Sequence, residues 1–227
     1  MKPVYDDGAA SIACLGELSA AERPLYTAVL DAGRSRLGAA WEASAAKREI
    51  FWINLWQRTG GAEPMDLPGV AALDPVVREL AARAYAGEDA EFDGYGFIIN
   101  PVGSKAQPWH VDYTMGYSTL FIPFCKLTPQ NCTQYAVLPK EVPAAARERI
   151  AGNLDVIDLD ALVEACGHVS VRQLLARPYA ILKMDFGTIH RGIANTGDFE
   201  RIMFWISVSK RGDPIPLEPT VEVIRKT

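Results

Sequence analysis

The sequence predicts a mainly β domain, a barrel of short strands with helices packed on its outside. Two observations lead to this fold class. From about residue 90 onward, short segments rich in β-branched and aromatic residues recur, separated by turn-forming residues such as Asn, Pro and Gly. Before that point, Ala- and Leu-rich segments repeat their apolar residues at helical spacing. Many short strands with regular turns are typical of barrels and sandwiches.

The N-terminal third supplies most of the predicted helices. A helix is predicted over residues 19–47, and Ser19 with Glu22 three positions later forms a capping-box pattern at its start. An aromatic-rich strand is predicted at 49–56, and a second helix over 74–85, where apolar residues form one stripe. We therefore expect residues 1–90 to form a helical jacket with one early strand.

The barrel core is predicted over residues 91–210. A helical insertion is expected within it, from about residue 141 to 177. No repeat, low-complexity tract or flexible linker divides the sequence, so a single domain over 1–227 is predicted. The expected strands of the core are 94–100, 109–113, 117–125, 133–138, 180–184 and 201–210.

Charge and composition limit the functional classes. The 227 residues carry a net charge of −5, which argues against a nucleic-acid partner because such proteins normally present a basic face. No run approaches the roughly 18 apolar residues of a membrane span, and the N-terminus lacks the pattern of a secretory signal. We expect a cytoplasmic protein with a small-molecule substrate and no membrane partner. The four cysteines show no C-x-x-C spacing, and the sequence does not indicate the oligomeric state.

The most informative pattern involves two of the three histidines. His110 and Asp112 are two positions apart in a predicted strand, so their side chains are expected on one face. His190 follows in a glycine-punctuated turn. Two histidines and one carboxylate on one side of a metal form the facial triad of non-haem iron(II) oxygenases. Each element is common by itself; their order and the strands around them together indicate an iron site.

Arg201 opens the apolar strand predicted over 201–210. A charged side chain entering such a strand needs a partner, because a buried unpaired charge is costly. The planar guanidinium binds carboxylates through two hydrogen bonds. A dicarboxylate co-substrate is therefore a suitable partner for Arg201.

These residues also carry a family resemblance, which covers about residues 94–209. The chain resembles the phytanoyl-CoA dioxygenase-like branch of the Fe(II)/2-oxoglutarate-dependent dioxygenases. The similar segments are Trp109-His110-Val111-Asp112, the apolar strand 119–127, the stretch 131–139 that ends at a proline, and residues 185–201 with His190-Arg191-Gly192 and Asn195.

The resemblance implies a double-stranded β-helix, the jelly-roll or cupin-like barrel, with flanking helices. It implies Fe(II) on His110, Asp112 and His190, and 2-oxoglutarate held by Arg201, with O2 as the oxidant and succinate as a product. Related halogenases have a small residue at the position of Asp112, so the family pattern favours hydroxylation or another oxidation over halogenation. Cys132 replaces a usual glycine, and Lys140-Glu141 replaces a usual Gly-Ser-His, so the substrate is not carried over.

Further candidates lie close to these positions. Thr119 and Thr133 are on predicted strands from which a hydroxyl can reach a co-substrate, although packing in a sheet is the simpler interpretation. Early-strand residues such as Asn54 can reach in from the jacket, although a sheet-edge face is the simpler interpretation for them. The candidates for substrate contact are Trp109, Tyr113, Tyr117 and Trp205.

The sequence thus predicts an iron- and 2-oxoglutarate-dependent dioxygenase that oxidises a small metabolite, such as an amino acid or a natural-product intermediate. One alternative is a cupin-like metal-dependent dioxygenase or isomerase that does not use 2-oxoglutarate. Another is a non-enzymatic binding module on the same barrel. Arg201 argues against the first alternative, and the intact triad against the second.

Overall fold

A computed structural model describes residues 12–58, 64–86, 88–112, 118–139, 142–152, 156–185 and 188–211. The helices are α1 (Arg23–Arg36), α2 (Gly38–Lys47), α3 (Val70–Ala84), α4 (Ala144–Gly152) and α5 (Leu159–Cys166). The strands are β1 (Ile12–Glu17), β2 (Phe51–Gln57), β3 (Ala90–Asn100), β4 (Ser118–Pro123), β5 (Thr133–Val137), β6 (Ser170–Leu174), β7 (Ala180–Asp185), β8 (His190–Gly192) and β9 (Arg201–Lys210). Among these described residues, no helix is both long and apolar enough to cross a membrane.

The strands form two antiparallel sheets. The major sheet has the order β1-β7-β4-β9-β3-β2, and the minor sheet has the order β6-β5-β8. An isolated bridge between His110 and His190 extends the minor sheet beyond β8. The prediction of a mainly β fold with flanking helices is confirmed.

The two faces of the major sheet have different roles. On β9, Phe204 and Ile206 face the helices, in a cluster with Tyr26, whose ring meets Phe204 edge-on at 4.8 Å. The alternate residues Met203 and Trp205 face the minor sheet. Because successive strand side chains point to opposite faces, one apolar strand serves both the helical core and the interior between the sheets.

The predicted capping-box hydrogen bonds are formed, but in the turn that precedes α1, which begins at Arg23 instead of Ser19. The backbone N–H of Ser19 donates to the Glu22 carboxylate at 2.9 Å, and the N–H of Glu22 donates to the Ser19 hydroxyl at 3.3 Å. The predicted helix 19–47 is in fact two helices, because the chain leaves helical geometry at Leu37. The predicted helix 74–85 begins earlier, at Val70, and continues through Pro75 in its first turns.

The predicted secondary structure needs correction at several places. Residues 109–112 form no strand; only His110 is paired, through its bridge to His190. The predicted helical insertion contains α4 and α5, but its last part is strand β6. The sequence of β6 is compatible with a helix, and its pairing with β5 determines the extended conformation. Strands β1 and β8 were not predicted; β1 joins the major sheet by pairing with β7, and β8 joins the minor sheet by pairing with β5.

Candidate metal and co-substrate site

The two histidines of the predicted triad are brought together by backbone pairing. The N–H of His110 donates to the carbonyl of His190 at 3.0 Å, and the N–H of His190 donates to the carbonyl of His110 at 2.9 Å. The two imidazole rings lie with their centroids 4.5 Å apart. A single β-bridge therefore aligns residues that are 80 positions apart in the sequence.

Both rings are oriented in the same way. The Nδ1–H of His110 donates to the carbonyl of Pro108, and that of His190 to the carbonyl of Thr188, each at 2.9 Å. A carbonyl only accepts hydrogen bonds, so this contact places the proton on Nδ1, which is the tautomer in which Nε2 can bind a metal. Each Nε2 atom lies 3.5 Å from Oδ1 of Asp112.

The electrostatics of the group suit metal binding. Burial raises the pKa of Asp112, but the neighbouring imidazoles of His190 and His110 outweigh it, so the pKa is lowered overall. Burial lowers the pKa of His190, and this outweighs the opposing effect of Asp112. At neutral pH Asp112 is therefore an anion and His190 is neutral, which are the forms that bind a metal ion.

The donor set fits an iron(II) ion. The three ligating atoms all lie within 4.8 Å of one another. Ligands about 2.1 Å from one ion and at right angles to each other lie about 3 Å apart, close to the 3.5 Å between each Nε2 and the Asp112 oxygen. Two imidazoles and one carboxylate on one side leave the remaining coordination positions open.

Arg201 lies at the base of the same cavity and is only 3% exposed. Its Nε–H donates to Oδ1 of Asn100 at 3.2 Å, and Nη1 donates to the carbonyls of Cys132 at 2.9 Å and Asn131 at 3.3 Å. No carboxylate of the described residues pairs with this guanidinium, and Nη2 has no acceptor among them. Burial lowers the pKa of Arg201 to about 10, so it remains a cation at neutral pH.

The surroundings of Nη2 have the chemistry of a carboxylate site. A Cβ at Gly192 would overlap Nη2, so only glycine leaves this donor accessible. Asn100 is fully buried, and its Nδ2 has no partner in the described part of the chain. An unpaired cation beside an unpaired amide donor is costly without an anion, and the distal carboxylate of 2-oxoglutarate supplies one.

One cavity of about 210 Å³ connects the histidine–aspartate group with Arg201 and lies between the two sheets. Its wall is mostly apolar, with neutral amide and hydroxyl groups interspersed. The lining residues are Trp52, Asn54, Gln57, Ile98, Asn100, Gln107, His110, Val111, Asp112, Thr119, Phe121, Thr133, Leu174, Met184, His190, Gly192, Arg201, Met203 and Trp205.

The other predicted site residues are placed differently. Thr119 and Thr133 line the cavity, and neither hydroxyl has a hydrogen-bond partner among the described residues, so both are available to a co-substrate. Trp205 also lines it. Trp109 does not; it packs in a separate apolar cluster, with the Arg191 guanidinium 4.6 Å from its ring centroid. Tyr113 and Tyr117 lie outside the described residues.

Sequence reasoning left out several polar residues of the wall. Asn54, Gln57, Asn100 and Gln107 line the cavity, and Asn54 had been favoured for a sheet-edge face. The register between β2 and β3 shifts after Asn54, at a β-bulge. This shift breaks the two-residue alternation of the strand and places Gln57 on the same face as Asn54.

The comparisons with known proteins concern structure only, since neither a protein-family model nor a curated protein matches the chain. SnoK, a non-haem α-ketoglutarate-dependent carbocyclase from nogalamycin biosynthesis, matches with a TM-score of 0.62 and 16% identity, over 89% of this chain and 81% of that one. HygX from Streptomyces hygroscopicus, solved with nickel and 2-oxoglutarate bound, matches with a TM-score of 0.50 and 10% identity, over 90% and 84% of the two chains.

EvdMO1 matches with a TM-score of 0.55 and 17% identity over 89% of this chain, which spans 48% of that protein's length. Matches at such low sequence identity show a shared fold only. Membership of the phytanoyl-CoA dioxygenase-like branch therefore stays a prediction. With its two antiparallel sheets, the chain has the cupin-like double-stranded β-helix fold of the non-haem 2-oxoglutarate-dependent enzymes.

Proposed function

We propose that the chain is a non-haem Fe(II)- and 2-oxoglutarate-dependent dioxygenase that oxidises a small metabolite by hydroxylation. One observation carries the proposal: a metal-compatible group lines the same cavity as a buried cation, Arg201, that pairs with no carboxylate of the described residues. The guanidinium of Arg201 can bind one carboxylate of a dicarboxylate. A metal held by His110, Asp112 and His190 would keep open coordination positions for the other end.

Each residue of the group has a distinct role in this proposal. His110 and His190 bind the metal through Nε2, and Asp112 binds it as an anion that offsets part of its charge. Arg201 Nη2 and Asn100 Nδ2 donate hydrogen bonds to the distal carboxylate of 2-oxoglutarate. The hydroxyls of Thr119 and Thr133 are further donors along the wall. When bound, iron(II) and 2-oxoglutarate together supply the activation of O2, with succinate and CO2 as co-products.

The protein contributes orientation and exclusion of water. The Nδ1 contacts fix both imidazole planes before a metal arrives, and the contacts of Arg201 to Asn100 and Cys132 hold the guanidinium in one position. Preorganised donors lose little entropy when the ligand binds. The apolar side chains between them exclude bulk water, which limits side reactions.

Two substrate classes are consistent with the small cavity, namely amino acids and natural-product intermediates. The second class has support from SnoK, whose description places it in nogalamycin biosynthesis. Asp112 supports hydroxylation over halogenation, because its carboxylate takes the position that a halide would need.

The test is the dependence of O2 consumption on 2-oxoglutarate. Purified protein with iron(II) is given a panel of candidate substrates, and succinate formation is measured with the mass of each product. We expect O2 consumption to require 2-oxoglutarate and to be lost in Asp112→Ala. Turnover of O2 that proceeds equally well without 2-oxoglutarate would contradict the proposal and favour a cupin-like metal-dependent dioxygenase; metal-dependent conversion of a substrate without O2 uptake would favour an isomerase.

A further inference from the structure

Two polar side chains on the cavity wall lie on either side of a glycine. In the major sheet Asn54 on β2 pairs with Gly96 on β3, and Gly96 pairs with Trp205 on β9. Neighbouring strands lie about 4.8 Å apart, so Asn54 and Trp205 are two strands, or about 10 Å, from each other. A Cβ at Gly96 would overlap the backbone carbonyl of Ile53, so the glycine lets β2 approach β3 closely at this point. Both residues line the cavity.

Neither polar group has a hydrogen-bond partner among the residues that the structure describes. Trp205 is 6% exposed, and its indole Nε1 is buried without a hydrogen-bond acceptor among the described residues. The Oδ1 of Asn54 is likewise buried without a donor. Buried polar atoms are nearly always paired, and leaving one unpaired destabilises the folded chain. A donor and an acceptor left open on one wall indicate a ligand that completes them.

This wall lies next to the metal group. Trp205 pairs with Phe121 on β4, and the Phe121 ring centroid is 6.5 Å from that of His190. The row Asn54, Gly96, Trp205 and Phe121 therefore leads from the proposed iron ligands across the major sheet. A molecule bound along this row presents one end to the metal, as a substrate of the reaction must.

The ionisable side chains that line the cavity all have a role in binding iron or 2-oxoglutarate under the proposed function. Among its described lining residues the ionisable groups are His110, Asp112, His190 and Arg201, and the proposed function uses all four for iron and 2-oxoglutarate. The rest of the wall is apolar or neutral, with residues such as Trp52, Ile98 and Met203. A substrate carboxylate or ammonium would lose its hydration there without gaining a counter-ion, which is unfavourable.

We propose that the substrate is an uncharged, largely apolar molecule that accepts a hydrogen bond from the indole N–H of Trp205 and donates one to the side-chain oxygen of Asn54. The inference rests on the proposed function, because that function assigns the four charged groups to iron and 2-oxoglutarate. It favours a neutral natural-product intermediate with a carbonyl and a hydroxyl or amide N–H. It disfavours a free amino acid, whose two charges have no partners on this wall.

The indole N–H of Trp205 can be observed directly by NMR. The protein is labelled with 15N at its five tryptophans, and the Trp205 signal is identified as the one missing from Trp205→Phe. Zinc(II) replaces iron(II) as a redox-silent ion, and 2-oxoglutarate is added at saturation. Three probes of the same size are titrated: benzamide, which is neutral, and the charged benzoate and benzylammonium.

We expect benzamide to shift the Trp205 signal and to bind at least tenfold more tightly than either charged probe. Asn54→Leu should weaken benzamide binding about three- to tenfold, as expected for the loss of one neutral hydrogen bond. Asn54→Asp should shift the preference toward benzylammonium. The indole of Trp109, which lies outside the cavity, is the internal control and should not move.

Three results would overturn the inference. They are an unmoved Trp205 signal at the solubility limit of benzamide, a charged probe that binds the wild type as tightly as benzamide, and equal benzamide affinity in wild type and Asn54→Leu. A separate titration of the zinc-loaded protein with 2-oxoglutarate, in the presence and in the absence of benzamide, separates this failure from that of the proposed function. If 2-oxoglutarate itself displaces benzamide, the wall belongs to the co-substrate and only the inference fails. If 2-oxoglutarate does not bind at all, the proposed function fails.

Discussion

Replacing Gly192 by alanine places a methyl group where the guanidinium of Arg201 now lies. The added Cβ would overlap Nη2 and come within 2.6 Å of Oε1 of Gln107. That amide oxygen also accepts the N–H of Gly192 at 3.0 Å, so it cannot move freely. Three further hydrogen bonds hold the guanidinium in place. The methyl group must therefore either displace Nη2 or cover it.

The expected cost is the loss of the Nη2 hydrogen bond to the co-substrate. A hydrogen bond to a charged group contributes about 1.5–3 kcal/mol. Its loss should raise the dissociation constant of 2-oxoglutarate roughly ten- to hundredfold. Metal binding should be unchanged, because Nη2 is not among the metal-compatible donors.

Isothermal titration of zinc-loaded protein with 2-oxoglutarate measures this constant. Gly38→Ala is the matched control, because a Cβ at Gly38 meets nothing within 4 Å and should leave the affinity unchanged. A thermal melt reports whether Gly192→Ala is folded. If the folded variant binds 2-oxoglutarate as tightly as the wild type, Nη2 does not contact the co-substrate and our assignment of this site is wrong.

Three further predictions concern stability and the metal. Burial raises the pKa of Asp93 to about 6 from an unfolded value near 3.9, so the folded chain binds more protons between these values and loses stability as pH rises. Between pH 4 and 7, the free energy of unfolding in urea should fall by up to about 3 kcal/mol more in the wild type than in Asp93→Asn. The same pH dependence in both proteins would contradict this prediction. Ser19→Ala removes the hydroxyl that accepts the Glu22 N–H and should cost about 1 kcal/mol in the same assay, whereas no change would show that the capping box does not stabilise α1. His190→Ala should weaken iron(II) binding more than about a hundredfold by competition with a chelator, whereas the exposed His168→Ala should not; equal affinities would exclude His190 as a ligand.

The class of fold could be predicted from the sequence because strand and turn signals are local. The segments that became β4, β5, β7 and β9 alternate or are continuously apolar, and each is bounded by turn residues. Strand β6 could not be predicted, because Arg172, Gln173 and Leu174 are compatible with a helix. Pairing with β5 determines its conformation, and that contact is formed between distant parts of the chain.

The candidate site was predicted for a reason that is partly wrong. Strand alternation was the argument for placing His110 and Asp112 together, but residues 109–112 form no strand. The reciprocal backbone hydrogen bonds with His190 orient His110 instead, and these require the folded minor sheet. The structure brings all three residues together, as expected, and their role as iron ligands stays a prediction.

The supporting residues of the site were less accessible to sequence reasoning. Asn100 has no distinguishing motif, and its importance comes from the unpaired Nδ2 beside Arg201. Gln57 could not be placed because a β-bulge between Asn54 and Trp56 shifts it onto the cavity face. Trp109 fitted the sequence pattern of a substrate contact, yet its ring packs outside the cavity, in an apolar cluster with Leu162 and Ile189.

The central claim is that iron(II) and 2-oxoglutarate bind together, with Arg201 holding the co-substrate. Anaerobic addition of both to the folded protein should produce a weak visible charge-transfer band. Arg201→Ala should lose the band at a 2-oxoglutarate concentration that saturates the wild type, whereas Arg211→Ala, which changes an exposed arginine paired with Asp89, should retain it. A folded wild-type protein that shows no band at any concentration of 2-oxoglutarate would contradict the claim.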